Sequence, residues 1–250
     1  MTLHIIVPCK SLAEGKSRLS PILGAGARKA ICSRFLTNTL DVALSLVPTN
    51  RCQVVASNAG VESVIGGSGV AIIVDPGLGL NVALSLARDQ ICDQSADDLA
   101  ILILPIDLPL ADSGALSGFI RRKGDVVIAA DRQRSGTNTL LIRERALRRF
   151  VFRFGPRSFA RHHESATTAG FTVVVHEDPD LSFDVDDPAD YREWRRRTAR
   201  LRLVIDIGVA ATRNAKRRQL DDVSTERSTC DVDDFKSKRQ SGARLSSWQD

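Results

Sequence analysis

The chain has 250 residues and a mass of 27.2 kDa, enough for one generous domain or two small ones. Hydrophobic residues make up 43% and charged residues 26%, which excludes wholesale disorder. The net charge of +5 is unevenly placed: residues 1–194 carry 21 Lys/Arg against 22 Asp/Glu, residues 195–250 carry 14 against 8. The basicity belongs to a tail, so it gives no reason to expect the folded part to bind nucleic acid.

The predicted elements alternate along the chain. Residues 3–7 read as a buried strand and Ala27 to Leu46 as a helix, with Ile31, Phe35, Val42 and Leu46 at helical spacing. Residues 52–56 and 70–74 read as strands, and Leu80, Leu84, Ala87 and Ile91 as a second amphipathic stripe. Residues 99–104 form the most apolar strand, expected at the centre of the sheet; 125–130 and 171–176 add two more. Apolar strands alternating with helices imply an α/β fold with a mostly parallel sheet, whose ligands bind beyond the strands' carboxyl ends. From about Arg195 the pattern decays into polar residues, with one apolar patch at 201–209. The expected division is a domain over 1–197 and a basic tail over 198–250, with 210–250 read as disordered.

Cys9, Cys32, Cys52, Cys92 and Cys230 are odd in number, scattered and without a CxxC pair. This argues against a disulfide scaffold or structural zinc and fits a reducing cytoplasm. The first apolar run is too short for a signal peptide, and the longest, Leu99 to Pro105, is far below the ~20 residues a membrane span needs.

The loops after the strands carry the candidate chemistry. Gly15-Lys16-Ser17 resembles the end of a phosphate-binding P-loop, but that pattern needs glycine where Lys10 stands, so the P-loop reading is rejected. What remains is a loop with three cations, Lys10, Lys16 and Arg18, which alone would suit a triphosphate or solvent equally, and its position after the first strand favours the triphosphate. In Asp75-Pro76-Gly77-Leu78-Gly79-Leu80-Asn81, the glycines permit close backbone approach and Asn81 offers an amide to a base edge or ribose. Asp107, between Pro105 and Pro109, lies just beyond the central strand and is expected to bind metal.

Four acids follow Phe183, and they separate physically. Asp187, Pro188 and Asp190 read as the start of a helix, with an N-cap, a proline and a first-turn acid. Asp184 and Asp186 alternate with Phe183 and Val185, so in an extended segment both carboxylates face the same side. Asp107, Asp184 and Asp186 make an all-oxygen set suited to Mg²⁺. Gly155-Pro156 is expected to open a helix whose free N–H groups around Ser158, with Arg157 and Arg161, form an anion site. Ser135 to Asn138 reads as a glycine-permissive turn adding a hydroxyl at Thr137, and His162 and His163 read as helix-surface residues. Four histidines and no nucleophile elbow make covalent hydrolase chemistry an unpromising reading.

Taken in order, Val7-Pro8-x-Lys10, Lys16-x-Arg18-Leu19, Gly79-Leu80-Asn81, Pro105-x-Asp107-Leu108-Pro109, Gly136-Thr137-Asn138, Phe154-Gly155-Pro156-x-Ser158-Phe159 and Asp184-x-Asp186 resemble the CofC/FbiD family. These are the guanylyltransferases of coenzyme F-420 biosynthesis, and the resemblance spans residues 3–194. It implies a single-domain, Rossmann-like nucleotidyltransferase fold similar to the molybdenum-cofactor guanylyltransferases. It also implies transfer from GTP to a phosphorylated C3 acid: phosphoenolpyruvate, 3-phosphoglycerate or 2-phospholactate. By the resemblance, Asp107, Asp184 and Asp186 hold Mg²⁺, and Thr137, Gly155 and Ser158 grip the acceptor's phosphate. Lys10, Lys16 and Arg18 take the triphosphate as catalytic cations, and Gly79 and Asn81 meet the nucleoside. Cys9 and the basic tail depart from the family pattern.

Two rival readings stand beside this one. The first is a nucleotidyltransferase on a molybdopterin or sugar phosphate. The second is a GTP-binding protein without catalysis, its tail recruiting RNA or an acidic partner. The leading reading expects a cytoplasmic enzyme without nucleic-acid or membrane partners, and leaves a homodimer open.

Overall fold

The computed structural model describes residues 1–9, 11–57, 60–94 and 98–200. Lys10 and the tail beyond residue 200, including the stretch read as disordered, lie outside the described residues. The chain divides into one unit, Met1–Trp194, and a second from Arg195 onward. The first unit contains the sheet and the candidate site.

Strands β1 (Thr2–Cys9), β2 (Cys52–Ala56), β3 (Ala71–Val74), β4 (Leu99–Ile103), β5 (Val126–Ala130), β6 (Thr137–Arg143) and β7 (Val173–Val175) form one seven-stranded sheet. Its order is β3-β2-β1-β4-β6-β5-β7, which puts the apolar β4 in the middle, as its composition predicts. All the pairings are parallel except those of β6, which runs antiparallel to both β4 and β5. The segment read as a turn at 135–138 is therefore corrected in its second half: Thr137 begins a buried strand. Its polar opening, Thr137-Asn138-Thr139, disguises the apolar run behind it.

Alternate residues of the central strands enter opposite cores, as the pleat requires. Ile5, Val7, Val54 and Leu102 pack on one face with helices α1 (Ala25–Leu46) and α4 (Ser113–Ile120). Ile6, Val55, Ile101 and Ile103 pack on the other with α3 (Leu80–Gln94) and α6 (Ser158–Thr168). Burying each such side chain contributes about 1.5–3 kcal/mol. Two predicted faces need correction. Helix α1 buries Cys32, Phe35, Leu36, Thr39, Leu40 and Ala43, so of its predicted stripe only Phe35 is fully inside. Leu80, the first residue of α3's predicted stripe, is 40% exposed, because it lines a cavity instead of the core.

A third cluster fixes the acidic segment. Phe35, Phe183, Val185 and Trp194 are buried together, with Phe35 and Trp194 edge to face at 5.0 Å. Leu181, Phe183 and Val185 point inward while Asp184 and Asp186 stay partly exposed, which is the alternation that the sequence predicts. Among the described residues, no helix is long and apolar enough to cross a membrane.

Candidate active site

A cavity of about 710 Å³ opens at the carboxyl edge of β1, β2, β3 and β4, where Pro8, Ser57, Asp75 and Asp107 line it. That volume lies within the ~300–1,000 Å³ usual for small-molecule sites. Because β6 runs the other way, its first residues, Thr137 and Asn138, arrive at the same edge. One cavity thus collects Lys16, Gly79, Asp107, Asp184 and Asp186 together with Thr137, Gly155 and Ser158.

The first loop is held by its own backbone, with Gly15 N donating to Ser11 O at 3.0 Å. A Cβ at Gly15 would stand 2.7 Å from Cys32 Sγ and 2.8 Å from Ser11 O, so only glycine fits there. Lys16 follows in the left-handed region at φ 55°, and its side chain is turned inward. Its Nζ donates to Asp186 Oδ1 at 2.9 Å and to Asp107 Oδ2 at 3.2 Å. Burial opposes the ammonium charge, but the two carboxylates more than offset it, and the pKa is pushed up. Arg18 stays at the exposed rim, 3.6 Å from Asp186 Oδ2. Lys10, the third predicted cation, lies outside the described residues. The neighbouring Cys9 is buried at the cavity's edge, and burial, with Cys32 beside it, pushes its thiol up to about 12.

The acidic groups come from two segments tied by one backbone bond, Val185 N to Asp107 O at 3.0 Å. Burial, then the charges of Asp107 and Asp186, push Asp184 up to about 6. Among the described residues, no three His, Cys, Asp or Glu side chains gather closely enough to form a metal-binding group. The predicted metal set therefore shares the cavity without converging on one point, and Lys16 bridges two of its members. Asp187 and Asp190 are structural, as expected. Asp187 Oδ1 accepts from Ala189 N and Asp190 N, while Asp190 Oδ2 accepts from Asp186 N and Asp187 N.

Two hydroxyl residues, Thr137 and Ser158, also line the cavity. Gly155, at φ +119°, turns the chain into α6, and Ser158 Oγ accepts from Thr137 N at 2.8 Å. The expected free N–H groups at this helix start are partly spent: Ser158 N donates to Gly155 O and Phe159 N to Ser135 O. Reading His162 as a surface residue is also wrong. It is fully buried, pairing with Thr137 Oγ1 at 2.9 Å and accepting from Arg153 N at 2.8 Å, whereas His163 is exposed as predicted.

Asn81 has a structural task that its sequence does not suggest. Its Nδ2 donates to Phe154 O at 3.0 Å and its Oδ1 accepts from Phe154 N at 2.7 Å. One bond at each end of the amide is engaged, so Asn81 clamps the segment leading to Gly155. Sequence reasoning missed Asp131. Its carboxylate accepts from Ser135 N, Ser135 Oγ and Gly136 N, shaping the loop that delivers Thr137. An Asp four residues before Ser-Gly was the available signal.

An α/β sheet with an acid after its central strand, two after its last and a cation-bearing loop after its first has the architecture of a nucleotidyltransferase. A nucleotidyl transferase from Methanothermobacter thermautotrophicus has the same fold, with a TM-score of 0.58 at 16% identity over 80% of this chain and 99% of that one. Residues 3–195 match the family model described as "Guanylyl transferase CofC like", and the chain belongs to that family. It is 34% identical to the phosphoenolpyruvate guanylyltransferase of Rubrobacter xylanophilus over 193 residues, 76% of this chain and 92% of the relative. It is 32% identical to the 2-phospho-L-lactate guanylyltransferase of Archaeoglobus fulgidus over 192 residues, 76% of this chain and 82% of the relative.

Proposed function

We propose that this guanylyltransferase couples GTP to a phosphorylated C3 acid, forming the activated diphospho-guanosine precursor of coenzyme F-420. The named relatives act on phosphoenolpyruvate or 2-phospho-L-lactate, and 3-phosphoglycerate is the third acid of the same kind. The observation that carries the reading is the gathering of two residue sets in one cavity. Asp107, Asp184 and Asp186 line it together with Thr137, Gly155 and Ser158.

In the proposed reaction an oxygen of the acceptor's phosphate attacks the α-phosphorus of GTP in line, and the bond to pyrophosphate breaks. The nucleophile is already an anion, so no protein group has to remove a proton. This agrees with a site whose buried histidine is committed to Thr137 and the Arg153 backbone. Catalysis then consists of positioning and charge neutralisation. Thr137 and Ser158 orient the acceptor's phosphate, and Lys16 and Arg18 neutralise the triphosphate. Lys10 joins them on the strength of the family motif, and Gly79 gives the nucleoside a close backbone approach.

The donor set fits Mg²⁺. It consists only of carboxylate oxygens, and the Asp184 carboxyl, raised first by burial and then by the charges of Asp107 and Asp186, would be eased by a nearby divalent cation. Asp107, Asp184 and Asp186, which line one cavity without converging on one point, would have to draw together to hold the ion, which would supply further charge neutralisation between the two substrates.

The test is pyrophosphate release from GTP and Mg²⁺ with each of the three acids separately, against a no-acid control. Release with one acid supports the reaction and identifies the acceptor. Release with none, from folded protein that binds GTP, would move the assignment to another acceptor or to a binding role.

A further inference from the structure

His162 lies beneath the Thr137 hydroxyl with no route of its own to a substrate. Its ring is enclosed by aromatic neighbours, Phe154 at 4.8 Å edge-on and Phe150 at 5.6 Å. Two polar contacts determine its chemistry. Arg153 N–H can only donate, so Nε2 must be the bare, accepting nitrogen. A neutral ring then carries its proton on Nδ1, and Nδ1–H donates to Thr137 Oγ1 at 2.9 Å. Burial, with Arg161 and Arg153 nearby, pushes the ring's pKa down to about 4 and keeps it neutral at physiological pH.

The consequence lies one atom further on. Thr137 Oγ1 receives a proton from His162, and Ser158 Oγ receives one from Thr137 N. Each hydroxyl oxygen thus has a donor behind it, which takes up one lone pair and turns the O–H and the second lone pair away from that donor. Resting on the function proposed above, we propose that His162 is a positioning residue that makes these two hydroxyls a donor surface, selecting an acceptor that presents a fully anionic phosphate. Such a phosphate offers only lone pairs, and two hydroxyls whose O–H groups are the groups left to donate complement it. A surface histidine would leave the Thr137 hydroxyl free to rotate and accept.

Two near-isosteric variants separate the ring's two bonds. His162→Asn keeps an amide N–H near the Nδ1 position and loses the acceptor for Arg153. His162→Gln keeps an acceptor near Nε2 and loses the donor to Thr137. The expected result is a roughly tenfold higher KM for the acid in His162→Gln, with the GTP KM unchanged, and at most a threefold rise in His162→Asn. In a Thr137→Val background, His162→Gln should change the acid KM no further. Equal effects of the two variants, or an effect that persists without the Thr137 hydroxyl, would reduce His162 to a packing residue.

A second readout needs no turnover. In ¹⁵N spectra of the intact protein, His162 should show a protonated Nδ1 and a bare Nε2, and Nδ1 should respond to inorganic phosphate in the parent but not in Thr137→Val. The opposite tautomer, or no response in the parent, overturns the proposal. If the parent turns over none of the three acids while Nδ1 responds, the assigned acceptor fails and the donor surface stands.

Discussion

Lys16 Nζ sits 2.9 Å from Asp186 Oδ1, so a cation drawn from the first loop occupies the acids that follow the last strand. The contact also reaches Asp107 at 3.2 Å, and the lysine side chain is only 9% exposed. In the protein without metal, Lys16 is thus the counter-charge that lets two carboxylates stand together.

Replacing Lys16 with Met should therefore have two separable effects. Two partly buried acids left facing each other should lower the stability of the metal-free protein by about 1–3 kcal/mol. Mg²⁺ should then raise the melting temperature more in Lys16→Met than in the parent, because it no longer competes with the ammonium. Turnover should fall by roughly 10²–10³. A smaller Mg²⁺ shift in the variant would contradict this role. Lys16 already tolerates φ 55°, so the change adds no backbone strain.

Asp107→Asn should keep the fold and lose the reaction. The backbone oxygen of residue 107 still accepts from Val185 N, and the side chain is not part of the core. A loss of at least about 10²-fold in turnover is expected, with a stability change of no more than ~1 kcal/mol. Normal turnover by the purified variant would remove Asp107 from the site.

Asp184→Asn should stabilise the metal-free protein while inactivating it. The folded pKa is raised to about 6 against 3.8, so the native state binds the extra proton. Stability from this group is present at low pH and lost as pH rises through 6, which makes the ionised form a net cost at pH 7.5. The expected gain is about 1–2 kcal/mol in urea denaturation at pH 7.5, shrinking towards zero at pH 4. A variant less stable than the parent at pH 7.5 would show that the repulsion is already relieved.

His162 has the opposite sign. Its folded pKa, about 4, lies below 6.5, so between those values the unfolded chain takes up the proton first. Stability is full above pH 6.5 and is lost as pH falls towards 4, by up to about 3 kcal/mol. In denaturation curves from pH 7 to 4.5, His162→Asn should lose less stability than the parent. Parallel losses in the two proteins would mean that His162 titrates normally.

The features legible in the sequence were those set by local rules. Asp187-Pro188-x-Asp190 reads as a helix start and forms a reciprocal cap, because capping needs only neighbours in the chain. Phe183 and Val185 turn inward and expose Asp184 and Asp186, because the pleat has a period of two. What stayed hidden depends on partners far along the chain. Asn81 meets Phe154, His162 meets Thr137, and Lys16 folds back between Asp107 and Asp186. No spacing rule reports such contacts. Strand β6 was hidden for a related reason: its first two polar residues, Thr137 and Asn138, find their partners only in the tertiary fold, Asn138 Nδ2 donating to Leu181 O at 3.1 Å.

The central claim is that the bond broken lies between the α- and β-phosphorus of GTP, and that the guanylyl group ends on the acid. Parallel reactions with GTP labelled at the α- or the γ-phosphorus test it most directly. With one C3 acid and Mg²⁺, the α label should appear in a new guanylyl-acid product and the γ label in pyrophosphate, in equal amounts. Release of the γ label as inorganic phosphate, or α label that never joins the acid, would contradict the account.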